Sequence, residues 1–262
     1  MSHNTNCLNC NTLLVDAFCA HCGQKADTHR ITFKHFIFHD ILHGVWHFEK
    51  GILFTIKQAI LRPGSAALEY ISGKRIRYYN VFYLTLLLIG LNIYISHVQV
   101  QLSHHYFNTR LHPETDSAGK SIDAFLENNS KLLTFCFVPL FAINSFILFR
   151  RKKLNFSEHF IISGMMFLGV MLITTISALL VFTDYLKYLD FIGEIMNIVT
   201  PLSILLYLSI NYYKTFAENY SWNKNILRVF LFIFLLIAEI ILLTILLVGY
   251  FSHWTYTLKI VN

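Results

Sequence analysis

Charge is what this chain has least of. Asp, Glu, Lys and Arg make up only 14% of its 262 residues, against roughly 25% in an ordinary soluble domain. A soluble chain of this length needs a charged exterior, and here 55% of residues are hydrophobic and the mean hydropathy is +0.51. The motifs of common catalysis are missing too: no G-x-S-x-G, no G-x-x-x-x-G-K-[ST], no H-E-x-x-H and no dinucleotide-binding glycine pattern. Those absences exclude the usual hydrolase elbow, phosphate loop and zinc-protease helix, and an enzyme becomes the lesser expectation. Residues 1–30 have no apolar stretch behind a basic start, so no secretory signal is read and the N-terminus is expected in the cytoplasm. No internal repeat of the kind that announces a transporter fold is visible either.

What is present is apolar sequence in runs long enough for a bilayer, which needs about 20 residues per helix. Five candidate spans lie at about 81–98, 132–149, 160–183, 191–213 and 226–251. The expected fold is therefore an all-α membrane protein of about five transmembrane helices, preceded by an interfacial amphipathic helix and a small N-terminal zinc ribbon. The expected division is 1–28 as a cytoplasmic zinc-ribbon module, 29–79 as amphipathic interfacial helices and 80–262 as the transmembrane domain. Segment 99–131 reads as a loose outer loop.

Positively charged loops resist translocation. Lys74, Arg75, Arg77, Arg150, Arg151, Lys152, Lys153, Lys214, Lys224 and Arg228 fall on one side of the five spans, and Arg110, Lys120, Lys131, Lys187 and Lys259 on the other. Ten against five sets the N-terminus inside and the C-terminus outside. The net charge of +6 resides at the ends of apolar runs, so anionic headgroups, not nucleic acid, are the expected partner. Tyr78, Tyr79, Phe82 and Tyr83 beside Lys74, Arg75 and Arg77 read as an aromatic and basic anchor for the first span, or as a lipid-headgroup site that includes Arg62.

Four of the five cysteines form Cys7-Leu8-Asn9-Cys10 and Cys19-Ala20-His21-Cys22. Two residues between thiolates let both sulfurs reach one tetrahedral ion at about 2.3 Å, and two such knuckles make a closed structural zinc site. Asn11 and Gly23 follow the knuckles and are residue types that tolerate a left-handed turn. A reducing cytoplasm argues against disulfides, and no βαβ context supports a redox pair. His21 is read as a bystander and Cys136 as a small buried hydrophobe.

His35, His39, His43 and His47 recur every four residues and share one helical face, opposite Phe33, Ile37, Ile41, Val45 and Phe48. Three readings stay open for this ladder: the polar face of a surface helix, a second metal site with Asp40 or Glu49, or a pH sensor. Glu194 and Glu239 fall within spans, where a carboxylate is costly unless neutralised or bonded. Each is either a packing hydrogen bond or a functional group, and a small-solute or ion transporter using both is the alternative to a scaffold.

The order of features resembles a known family. Gly23-Gln24-Lys25, Thr28-His29-Arg30, the His35 to His47 ladder, Lys50-Gly51-Ile52-Leu53-Phe54-Thr55, Arg62-Pro63-Gly64 and Tyr70-Ile71-Ser72-Gly73-Lys74-Arg75, following the Cys7 knuckle, resemble the uncharacterised bacterial membrane family called domain of unknown function 3667. The resemblance covers residues 5–100. It implies a zinc-ribbon head on a multi-pass bacterial inner-membrane protein and supplies no activity. It also groups residues 50–75 with the ladder and the cysteine module. Residues 52–62, too short and too charged to span, are expected along the cytoplasmic surface. The function expected overall is a non-enzymatic scaffold or sensor whose zinc head docks a cytoplasmic protein. A metal-dependent membrane enzyme using the ladder is the further alternative.

Overall fold

A computed structural model describes residues 5–26, 51–107, 117–185 and 191–252. Among these the chain is helical apart from the cysteine-rich head, and no strand longer than an isolated bridge occurs. Two short helices come first, α1 (Ile52–Leu61) and α2 (Pro63–Ile71), followed by α3 (Val81–Phe107), α4 (Ser117–Phe135) and α5 (Phe137–Leu148). Then come α6 (Phe156–Val181), α7 (Phe191–Phe216) and α8 (Trp222–Phe251). The histidines at 35, 39, 43 and 47 and the helix expected around them lie outside the described residues.

Five stretches are long and apolar enough to cross a membrane: Val81–Ser103, Asn128–Leu148, Phe156–Tyr185, Phe191–Asn219 and Trp222–Phe251. The second is built from two helices, because Pro139 has no N–H for the carbonyl one turn back and the helix breaks at Cys136. Cys136, expected to be buried, is exposed at that break. Segment 99–131, expected as a loose loop, is helical at its described residues: α3 continues to Phe107, and α4 begins at Ser117. Its polar residues do not break the helix, since a helix needs one apolar face and α4 has one in Ile122, Phe125, Leu126 and Leu133.

Helix α6 is the centre of the bundle and touches α1, α2, α3, α5 and α7. It starts on a capping box, with the Asn155 side chain accepting from Glu158 N at 2.9 Å and the Glu158 carboxylate accepting from Asn155 N at 2.7 Å. Its length is almost wholly buried, from Ile161 to Leu172. At the end where α6 begins, Phe82 of α3 meets Phe160, and Phe149 stacks on Phe216 at 4.2 Å. At the other end Gln99 donates to Ala178 O, and the Asp184 carboxylate accepts from Gly193 N. We call these the head end and the far end. On α8, Leu227, Phe230, Phe234, Ile241 and Ile245 stand exposed, a surface only a lipid solvent tolerates at this density.

Helices α1 and α2, joined by Arg62 alone, differ most from expectation. Their segment was expected along the surface, yet the last turn of α1 reaches Gly169, the midpoint of α6, and Tyr207 of α7 donates to Ala59 O. The contact is possible because the meeting residues are small. A Cβ on Gly169 would fall 2.8 Å from Ala59 O and 1.8 Å from the Tyr207 hydroxyl oxygen. On α2, Gly64, Ala66 and Ala67 are buried, and a Cβ on Gly64 would fall 1.7 Å from Thr215 Oγ1. Small residues that let backbones approach drive helix association where lipid removes the hydrophobic gain.

Candidate metal centre and its docking on the bundle

The head is two copies of one turn. Asn11 N donates to Cys7 O, Cys7 N to Thr12 O, and Leu14 N to Thr5 O, at 2.8–2.9 Å. Twelve residues on, Gly23 N donates to Cys19 O, Cys19 N to Gln24 O, and Ala26 N to Ala17 O, again at 2.8–2.9 Å. The bridges Asn6 to Leu13 and Phe18 to Lys25 repeat with the same offset. Both turns need a left-handed residue after the second cysteine, and Asn11 (φ 61°) and Gly23 (φ 76°) supply it.

The four sulfurs lie within 4.8 Å of one another. Cys7 Sγ is 3.6 Å from Cys22 Sγ, and Cys10 Sγ is 3.5 Å from Cys19 Sγ, so each close pair takes one cysteine from each turn. Four thiolates at about 2.3 Å from a tetrahedral ion stand about 3.8 Å apart, so this donor set fits one metal ion and leaves no position open. All four cysteines are free thiols. Burial pushes the Cys7 thiol up to about 11, while hydrogen bonds from the Thr12 side chain and backbone hold Cys10 down to about 5.

The head is seated on the segment between α2 and α3 at three points. Leu8 packs onto Gly73, where a Cβ would come within 2.6 Å of Leu8 Cδ1 and where φ is +108°, a conformation glycine alone adopts freely. Buried Gln24 accepts from Arg75 N through its side-chain oxygen at 3.2 Å. The Asn9 side-chain oxygen accepts from Arg77 Nε at 3.3 Å and Nη2 at 3.1 Å.

Beneath this seat, Glu69 ties the pieces together. Its carboxylate lies 3.7 Å from Arg62 and 3.6 Å from Arg77 and accepts from the Tyr78 hydroxyl at 2.9 Å. Burial and that carboxylate push the Tyr78 hydroxyl well above its ordinary value. Tyr78 packs between Phe54 of α1 and Tyr70 of α2. Thr55 Oγ1 donates to Gly51 O and accepts from Tyr79 N, both at 2.8 Å. Of the four basic residues expected to meet headgroups, Arg62 and Arg77 are thus engaged by Glu69, and Arg75 lies over the Tyr70 ring at 5.6 Å. Lys74 is half-buried beside the first knuckle.

The two intramembrane acids are not brought together. Glu239, midway along α8, accepts from buried Asn144 of α5 at 2.9 Å. Glu194 is exposed in the first turn of α7, at the far end. Sequence reasoning passed over a buried polar group near the head end: Ser145 Oγ lies 2.8 Å from His159 Nδ1, and Ser163 Oγ lies 3.3 Å from the Tyr212 hydroxyl. His159 is fully buried, and its Nε2 has no hydrogen-bond partner among the described residues. The only sequence signal was polar residues at scattered places inside apolar runs.

A five-span apolar bundle with a four-cysteine, metal-capable head defines a multi-pass integral membrane protein. Residues 49–89 match the family described as "Protein of unknown function (DUF3667)". That match covers α1, α2, the segment on which the head sits and the first turns of α3. No curated protein and no solved structure matches the chain.

Proposed function

We propose that this protein is a non-enzymatic membrane scaffold or sensor in which a zinc ion, held by Cys7, Cys10, Cys19 and Cys22, keeps the head clamped to the α2–α3 junction. The observation that carries the reading is the three-point seat of Leu8, Asn9 and Gln24 on Gly73, Arg77 and Arg75. A set of four thiolates supplies folding free energy to a segment with no core of its own. The ion's role is therefore structural, and the surfaces it arranges are where function lies. Leu13, Val15 and Phe18 are exposed on the head, which supports a soluble protein as the docking partner.

The Lys and Arg bias supports a head on the cytoplasmic side, and the family resemblance supports a bacterial inner membrane. Of the four basic residues expected at the headgroups, Lys74, half-buried beside the first knuckle, is the one that supports a contact with anionic lipid. A transport path through Glu194 and Glu239 lacks comparable support, because one lies at the far end and the other is paired with Asn144.

Limited trypsin digestion of the full chain in detergent tests the clamp. With zinc bound, cleavage after Lys74 and Arg75 is expected to be slow, and chelation with EDTA is expected to open both bonds while the spans stay intact. Cleavage at these bonds that ignores zinc overturns the reading. Cross-linking in cells supplies the second arm: a soluble partner captured by the native chain should be lost in Cys7→Ser.

A further inference from the structure

At the far end of the bundle, opposite the head, α3 and α4 stand apart and leave a cleft of about 670 Å³ closed on its inner side by α6. This volume is in the range of small-ligand sites, roughly 300–1,000 Å³. The cleft runs from outside the second span, where Asp123 precedes Asn128, inward to Ile89 and Met171 within the first and third spans. Its chemistry is graded along that course. Asp123, Ser96 and His97 are exposed at the mouth, whereas Ile89 and Met171 are buried at the floor.

Between mouth and floor, Asn92 and Thr174 both present acceptors. Asn92 commits its amide nitrogen to Leu88 O and Thr175 Oγ1, at 2.8 and 2.7 Å, and so keeps its carbonyl oxygen as an acceptor. Thr174 spends its hydroxyl proton on Met171 O. At the mouth the Gln101 amide nitrogen lies 3.0 Å from His97 Nε2. Among the described residues no Lys or Arg lines the cleft, and Asp123 has no ion pair. A membrane protein that opens a polar crevice into its apolar body carries a cost that a bound ligand offsets.

We infer that this cleft is a binding site for a lipophilic amine: an ammonium group against Asp123 and the acceptors near the mouth, and an alkyl chain along Ile89, Ile93 and Met171. The site is remote from the head and does not depend on the scaffold reading. The amine comes either from the headgroup of a bilayer aminolipid or from a free alkylamine, and both present the same chemistry to the cleft.

The test is equilibrium binding of radiolabelled dodecylamine to the full chain in phosphatidylcholine nanodiscs, with empty nanodiscs as the partition blank. Saturable binding of one amine per chain is expected, weakened about tenfold or more in Asp123→Asn through loss of a charge-assisted contact and abolished in Ser96→Phe, which fills the mouth. Both positions are exposed, so neither change threatens folding. Dodecyl sulfate should not compete. Displacement of the probe by phosphatidylethanolamine, with that lipid retained on the purified chain, assigns the amine to the bilayer, and failure to displace assigns it to a free amine. Either result upholds the site. Uptake that never saturates, binding indifferent to Asp123→Asn, or equal competition by dodecyl sulfate overturns it.

Discussion

Gly73 answers two demands at once: a backbone at φ +108° and a surface low enough for Leu8 to rest on. Gly73→Ala should therefore weaken head docking by about 1–3 kcal/mol for the backbone alone, with the Leu8 clash added. Hydrogen exchange at Arg75 N, which the head protects through Gln24, reads the effect. Leu8→Ala in the same chain should recover the part due to the clash and not the part due to φ. The thiols give a second residue-scale expectation. Iodoacetamide followed by mass spectrometry should modify Cys7, Cys10, Cys19 and Cys22 in the chelated chain, and zinc should slow the reaction at all four. The cysteines were legible because a metal knuckle is local, two residues wide. Asn9 and Gln24 were not, because their partners stand 68 and 51 residues away and nothing near them in the chain marks the contact.

Among the elements, the short pair α1 and α2 depends most on its neighbours. A helix of ten residues cannot cross a membrane, and only the hollow made by Gly169 and the Tyr207 hydroxyl lets α1 reach the middle of α6. Gly169→Val should displace α1 and lower the thermal stability of the detergent-solubilised chain by about 2 kcal/mol or more, the scale of core overpacking. It should also speed trypsin cleavage after Lys57. A milder loss, about 1 kcal/mol, is expected from Asn155→Ala, which removes the cap of the central helix; its checkpoint is the same melting curve. The spans were readable as unbroken apolar runs. The seat of α1 was not, since the glycines and alanines that permit it carry no hydrophobic signal and lie on helices far apart in sequence. Residues 117–131, expected as part of a loose loop, are helical because one apolar face is enough for a helix whatever its polar composition.

At the level of the whole molecule, an odd number of spans puts the head and the end of α8 on opposite faces. The charge bias predicts the head on the inside. A membrane-impermeant maleimide applied to intact cells should therefore label a cysteine placed at Ser252 and leave one placed at Ser72 unlabelled, in a chain whose native cysteines remain. Labelling of the Ser72 position and not the Ser252 position would invert the topology. The five apolar spans of the bundle follow from composition alone. The coupling of head, junction and short helices does not, because it rests on one carboxylate and three contacts assembled by the fold.

The twelve-residue repeat of the head has a further consequence. One copy supplies Leu8 and Asn9 to the membrane-side seat, and the positions that correspond to them in the other copy are Ala20 and His21, both exposed. The two copies therefore carry corresponding surfaces, one seated on Gly73 and Arg77 and one exposed. Each close sulfur pair draws on both copies. An ion held by all four cysteines would couple the two surfaces, so that whatever engaged the exposed one and strained the site would be felt at the seat, with occupancy as the shared variable.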